Sequence, residues 1–148
     1  MAKTFKGRAV LAGSLEGEAL VSTYPFNTTA SYLDNMFAGN TDTAPCTDAA
    51  NKDLYGKDMS RAMICTTKTV GSPIGGGALM GMGEVGVGPK AMLFSKHIDT
   101  VSSAGLIIDD IWNERRVITI DLLGDEFLET VKTGDKIKIS EDGTVEVG

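Results

Sequence analysis

Eight of the 18 glycines fall between residues 71 and 88 (71, 75, 76, 77, 81, 83, 86 and 88), and the run opens with Gly71-Ser72-Pro73-Ile74-Gly75-Gly76-Gly77. Glycine has no Cβ to hold a ligand off the backbone, so successive N–H groups in such a run can point at one anion. A helix starting there adds the positive end of its dipole. Ser72 is then placed for its hydroxyl to meet a bound substrate. The same composition also suits a turn that binds nothing, because glycine marks turns as readily as sites.

Other chemistry-bearing residues are sparse. Gly81-Met82-Gly83-Glu84-Val85-Gly86 has the glycine spacing of a dinucleotide loop. That fingerprint needs a strand before it and a helix opening on the glycines, and residues 77–80 read as neither strand nor turn. No Gly-Lys-Ser or Gly-Lys-Thr occurs, which excludes a Walker A loop. Cys46 and Cys65 are too far apart for a CxxC pair and the single histidine, His97, is near neither, so alone they build neither a zinc nor an iron–sulfur site. Cys65, in an apolar stretch, reads as a buried and unreactive thiol. Cys46, after Pro45 in a polar stretch, reads as open to exposure, and a disulfide between the two is disfavoured in a reducing compartment. His97 reads as a surface histidine without a nucleophile beside it. Glu114-Arg115-Arg116 reads as a solvated turn whose arginines can reach a carboxylate at an interface, and Asp109 and Asp110 as solvated.

The elements that must position Ser72 follow from apolar patterning, which points to a mixed α and β domain. Strands are expected at residues 7–11, 18–22, 62–66, 91–94 and 117–120, all short and rich in β-branched or aliphatic residues. Residues 24–57 are polar and turn-forming, with only residues 31–37 apolar enough to dock. They read as a long excursion serving a binding surface or an interface. The glycine loop is expected to lead into a helix-like stretch at residues 78–80, interrupted by Gly81 and Gly83. Each interior glycine costs a helix about 1 kcal/mol relative to alanine, so close packing against another backbone is the reason expected for them. Residues 99–104 read as a helix or turn followed by an apolar stretch at 106–108. Residues 123–131 have helical spacing. Residues 136–147 alternate about Asp142-Gly143 as a hairpin.

A chain of 148 residues can bury a core of its own as one domain, and its net charge of −6 argues against a sequence-independent grip on nucleic acid. Residues 1–10 carry Lys3, Lys6 and Arg8 without an apolar block of signal-peptide length, and no apolar run approaches the roughly 20 residues of a membrane span. A cytoplasmic chain with no membrane partner is expected.

Taken in order, Gly17-Glu18-Ala19-Leu20-Val21-Ser22, Phe26-Asn27-Thr28, Asp53-Leu54-Tyr55-Gly56-Lys57-Asp58, Lys68-Thr69-Val70-Gly71-Ser72, Gly88-Pro89-Lys90-Ala91 and Asp110-Ile111-Trp112 resemble the small swivelling domain of the aconitase X family. The similarity runs over about residues 7–139. It implies an α/β fold, a swivelling β/β/α domain with a compact barrel-like sheet and flanking helices, as a single domain over residues 1–148. It also implies the small subunit of a two-subunit hydro-lyase whose large subunit carries an iron–sulfur cluster on its own cysteines, this chain alone holding no metal. Relatives in that family dehydrate small hydroxy acids, cis-3-hydroxy-L-proline or phosphomevalonate, and residues 26–28 and 53–58 look closer to the bacterial hydroxyproline type.

The resemblance further implies Ser72 as the base, with Gly71, Gly75, Gly76, Asn27, Thr28 and Lys68 as substrate-binding residues. Serine is a weak base, so its alkoxide requires N–H donors, which residues 75–77 can supply. Pro73 stands where relatives often have another hydroxyl residue and removes one donor from the loop. Two other readings stay open, a non-catalytic module that binds a small anion and a structural partner that completes another subunit.

Overall fold

The computed structural model describes residues 2–148. In chain order the strands are β1 (Lys3–Lys6), β2 (Arg8–Leu11), β3 (Leu15–Val21), β4 (Phe26–Asn27), β5 (Met63–Thr66), β6 (Thr69–Val70), β7 (Ala91–Phe94), β8 (Ile118–Asp121), β9 (Lys136–Ile139) and β10 (Thr144–Val147). The helices are α1 (Thr28–Ser31), α2 (Leu33–Phe37), α3 (Gly75–Glu84), α4 (Thr100–Asn113) and α5 (Asp125–Thr130).

Every residue of β5, β7 and β8 is buried. Strands covered on both faces carry continuous apolar runs, and such strands pair in parallel in the middle of a sheet. Here β3, β5, β7 and β8 are neighbours in parallel, in register from Met63 opposite Ala91 and Ala91 opposite Ile118. The second half of β3 pairs with β5, while its first half runs antiparallel to β9. The full order is β1-β10-β9-β3-β5-β7-β8-β2, and its two outermost strands are consecutive in the chain. Their joint, Gly7, donates its N–H to Gly143 O at 3.0 Å, so the eight strands curl into a nearly closed barrel.

Alternation divides the core in two. Met63, Cys65, Ala91, Leu93, Ile118 and Ile120 point inward to meet Phe5, Ile137, Val145 and α5 residues Phe127 and Leu128. Phe5 and Phe127 meet edge to face at 5.4 Å. Ile64, Met92 and Phe94 point outward and are covered by Leu79 and Met82 of α3, Leu106 of α4, and Phe26, Tyr32, Cys46, Leu54 and Met59. All of the last group but Met59 belongs to residues 24–57. The expected polar excursion therefore supplies part of the outer core, because a few large apolar residues spaced far apart pack where no periodic face announces them.

Two helices differ from the sequence expectation. Residues 75–77 are not a loop but the first turn of α3, which continues through Gly81 and Gly83. Of its five glycines in ten residues, Gly76 is required by the crossing with α4 and Gly83 is crowded by Arg115 and Asp109. A Cβ on Gly77 or Gly81 would meet nothing within 4 Å, so the close packing expected at Gly81 is not found. A Cβ on Gly76 would lie 2.4 Å from Val101 O, and one on Gly105 of α4 would lie 2.3 Å from Gly76 O. Residues 99–108 are not a turn and a separate stretch. They belong to one 14-residue helix, Thr100–Asn113, capped by Asp99, whose side chain accepts the Ser102 N–H at 2.8 Å, and closed by Glu114 in the left-handed region.

Candidate functional site around Ser72

Ser72 is delivered by a short strand and held by the start of a helix. β6 pairs in parallel with β4, Phe26 opposite Thr69 and Asn27 opposite Val70, and the Phe26 N–H bonds Lys68 O at 2.8 Å. The chain then turns at Gly71 with φ +111°, a conformation that side chains disfavour. A Cβ there would also lie 2.4 Å from Asn27 Oδ1. Ser72 follows, half-buried, then exposed Pro73 and Ile74. The Gly75 N–H donates to the Ser72 carbonyl at 2.9 Å, and the Ile74 N–H reaches Ser72 Oγ at 3.3 Å. Pro73 is the second residue of the turn that this Gly75 bond closes, a position that suits proline.

The donor to Ser72 Oγ is thus Ile74, which the glycine-run argument did not anticipate. The Gly75 N–H is engaged on the serine's own carbonyl, and Pro73, lacking an N–H, sits one residue before the donor that is used. Helix geometry leaves the N–H groups of the first turn without intrahelical acceptors, so the positive end of α3 lies beside the hydroxyl.

Asn27 and Thr28 come to the same place. Asn27 Oδ1 accepts the Ala30 N–H at 3.1 Å as the cap of α1, while the side chain packs on Gly71. Thr28 is 1% exposed, and its Oγ1 is buried without a hydrogen-bond partner. Its Cβ would lie 3.7 Å from a Cβ on Gly75, which puts the Thr28 side chain beside the first turn of α3. Lys68 stands at the opposite end of β6 from Ser72, exposed. Gly76 faces α4, and its bare Cα is accounted for by the helix crossing. Beside it an apolar groove of about 380 Å³ is lined by Pro73, Gly77, Met80, Val101 and Ile108.

Asp99 and Gly105, neither singled out from the sequence, also touch this region. Thr69 Oγ1 donates to Asp99 Oδ2, and Gly105 receives the backbone of Gly76. Asp99 had a readable signal, an aspartate three residues before Ser102 at the start of an apolar helical pattern. Nothing local reveals that Thr69 is its second partner.

The remaining candidates lie in other settings. Asp121 is buried, takes a forked pair of hydrogen bonds from Arg8 Nε and Nη2 at 2.8 and 2.6 Å, and accepts the Ile98 N–H at 2.9 Å. His97 Nε2 lies 3.3 Å from Arg8 Nη2 on the exposed side of that pair. Asp109 is buried rather than solvated, because Arg115 bridges it, at 2.7 Å, to Glu84, at 2.9 Å. Asp110 is held below the ordinary carboxylate range by the guanidinium of Arg116, which it accepts at 2.6 Å. Gly81 and Gly83 lie inside α3, not at a strand-to-helix turn.

Cys46 is buried, not exposed, because residues 44–46 pack beneath Tyr32 and Leu54 in the outer core. Cys65 is buried in the barrel interior, and burial pushes its thiol well up from its usual range. Both are free thiols on opposite faces of the sheet. Among the described residues no group of three or more His, Cys, Asp or Glu is placed to hold a metal ion. No helix among them is long and apolar enough to cross a membrane.

A family model described as the aconitase X swivel domain matches residues 4–147. The chain belongs to that family. Among its relatives, the phosphomevalonate dehydratase small subunit of Archaeoglobus fulgidus is 28% identical over 144 residues, spanning 97% of this swivel domain and 97% of the relative. That of Thermococcus gammatolerans is 30% identical over 145 residues, spanning 96% and 95%. The fold of the swivel domain is also similar to that of a crystal structure of Thermococcus kodakaraensis aconitase X in its holo form, with a TM-score of 0.80 at 24% identity over 99% of this chain and 98% of that one.

Proposed function

We propose that this swivel domain is the small subunit of a two-subunit hydro-lyase that removes water from a small hydroxy acid, with Ser72 as its base. The observation that carries the reading is the placement of Ser72 Oγ just ahead of α3, within reach of the Ile74 N–H. Dehydration removes a proton from the carbon next to the carboxylate and a hydroxide from its neighbour, leaving a carbon–carbon double bond and one water. Ser72 takes the proton. The N–H of Ile74 and the positive end of α3 stabilise its alkoxide, which a free serine in water lacks. The free amide nitrogen of Asn27 orients the substrate, Gly71 lets it approach the backbone, and Lys68 supplies a positive charge at the edge of the site, while Thr28 and Gly75, both buried, pack the first turn of α3. Gly76 contributes by letting α3 seat against α4.

The iron–sulfur cluster expected of the family does not fit this chain. Cys46 and Cys65 point into different cores, so they cannot share a cluster without breaking both. We assign the cluster, and the activation of the departing hydroxyl, to the large subunit.

As substrate we propose a phosphomevalonate-type hydroxy acid. The support is the set of named small-subunit relatives, which cover nearly the whole chain. The preference for cis-3-hydroxy-L-proline drew on residues 26–28 and 53–58, and much of those stretches does structural work. Asn27 caps α1, and Asp53 accepts both the N–H and the hydroxyl of Thr23, at 2.7 and 2.6 Å.

The test is reconstitution with an aconitase X large subunit, followed by assays with both substrates. Iron and dehydratase activity are expected only when the large subunit is present. Ser72→Ala is expected to lose at least about a thousandfold in kcat, of the order seen for key catalytic groups, while assembling normally. Full activity from the small chain alone, or a Ser72→Ala complex near the wild-type rate, overturns the reading. Turnover of cis-3-hydroxy-L-proline and not of phosphomevalonate overturns the substrate assignment alone.

A further inference from the structure

Ser72 stands between two contacts with one helix. Three residues before it, Thr69 Oγ1 donates to Asp99 Oδ2, while Asp99 Oδ1 accepts the Ser102 N–H at 2.8 Å and so opens α4. Four residues after it, the backbone of Gly76 is seated on α4, where a Cβ would lie 2.4 Å from Val101 O and 3.2 Å from the Gly105 Cα. Between these two feet the chain is otherwise held on the side away from α4, by the β4–β6 pairing, the packing of Asn27 on Gly71 and local turn bonds at Ser72. β6 is two residues long, Gly71 carries no side chain, and Pro73 and Ile74 are exposed. The α4 end of the loop is thus set by the Thr69–Asp99 bond and by the helix crossing.

We infer that Thr69, acting through Asp99, is a positioning residue that sets where the Ser72 hydroxyl stands, an inference that rests on reading Ser72 as the base. Thr69 is 2% exposed and meets no substrate itself. Asp99 carries two duties with two oxygens, one closing the first turn of α4 and one holding the strand that leads to Ser72. The division makes the two duties separable. Losing the Thr69 hydroxyl leaves the cap to Ser102 intact, and because Asp99 is partly exposed, water takes the place of the missing donor.

Thr69→Val tests this, since it keeps the shape and removes the hydroxyl, with Thr69→Ala as a second variant should the extra methyl not be accommodated. In the full chain alone, amide hydrogen exchange is expected to quicken at residues 71–76 and to stay at wild-type levels in residues 137–147. In the assembled complex, kcat is expected to fall between about tenfold and a hundredfold with KM within about twofold, because a displaced base slows the proton step without removing a binding contact. Thr69→Ser, which restores the hydroxyl, is expected to return both readouts to wild type. Unchanged exchange at residues 71–76, or an unchanged kcat, overturns the positioning role and leaves Ser72 as the base untouched. An active Ser72→Ala complex overturns the reading of the base instead, and the exchange result then still decides whether Thr69 holds the loop.

Discussion

The β9–β10 hairpin and the segment from β6 through α3 are both built from short stretches of chain, yet they are held by different physics. In the hairpin Ile137, Ile139, Val145 and Val147 all face the barrel interior, and ladders to β3 on one side and β1 on the other fix the register. Its stability comes from side chains and from backbone bonds that the alternating pattern specifies by itself. The Ser72 segment has few side chains to bury. It is held where backbone meets backbone or a single polar group, Gly71 on Asn27, Gly76 on Gly105 and Thr69 on Asp99. A region of that second kind can leave a hydroxyl partly exposed and a second one, on Thr28, without a partner, which a ladder-bound hairpin does not do.

Breaking the segment at its tightest approach is expected to have the largest effect on folding. Gly76→Val places a branched side chain where even one carbon meets Val101 O, so a loss on the order of 3 to 5 kcal/mol is expected, at or above the upper end of overpacking costs. Denaturant unfolding measures it, and a variant within 1 kcal/mol of wild type, roughly the scale of an ordinary surface change, contradicts the crossing.

The matching change in the hairpin removes atoms instead of adding them. Ile137→Ala is expected to cost about 2 to 4 kcal/mol by leaving a cavity among residues that cannot close around it, with dehydratase activity per folded complex unchanged. Activity that falls faster than the folded fraction would show the two regions to be coupled.

The contrast sharpens at Thr28. Thr28→Val replaces a buried hydroxyl that has no protein partner by a methyl of the same shape. Stability is expected to hold or rise by about 1 kcal/mol, with KM within about twofold of wild type because the buried hydroxyl is out of a substrate's reach. Thermal melting and steady-state kinetics on one preparation separate the two, and a clear loss of stability would mean that the hydroxyl serves the fold.

The smallest effect expected concerns acid. Asp53 is held below the ordinary carboxylate range, chiefly by the hydroxyl of Thr23. A carboxyl with a folded-state pKa below its unfolded value stabilises the fold above that unfolded value, about 3.9, and the contribution fades as pH falls through the folded one. Melting temperature is therefore expected to fall more steeply below about pH 4 in the wild type than in Asp53→Asn, which lacks the titration. Parallel curves remove Asp53 as a tether of residues 24–59.

The sequence by itself determined the elements whose partners are local or whose pattern is periodic. The strands near residues 63–66, 91–94 and 118–121, the hairpin about Asp142-Gly143 and the helix near residues 125–130 are written in alternation, turn residues and apolar spacing. The order of short motifs also carried the family and placed a serine at the head of a glycine run. Tertiary structure alone decided the rest. That a helix runs through Gly76 depends on α4, whose Gly105 lies almost thirty residues away, because a glycine-rich helix needs tertiary packing to offset its entropy. That residues 24–59 cover the sheet depends on single large side chains finding holes between α3 and β5. That the donor to Ser72 Oγ is Ile74, and that Thr69 is tied to Asp99, depends on where two turns come to rest in space, which spacing along the chain does not encode.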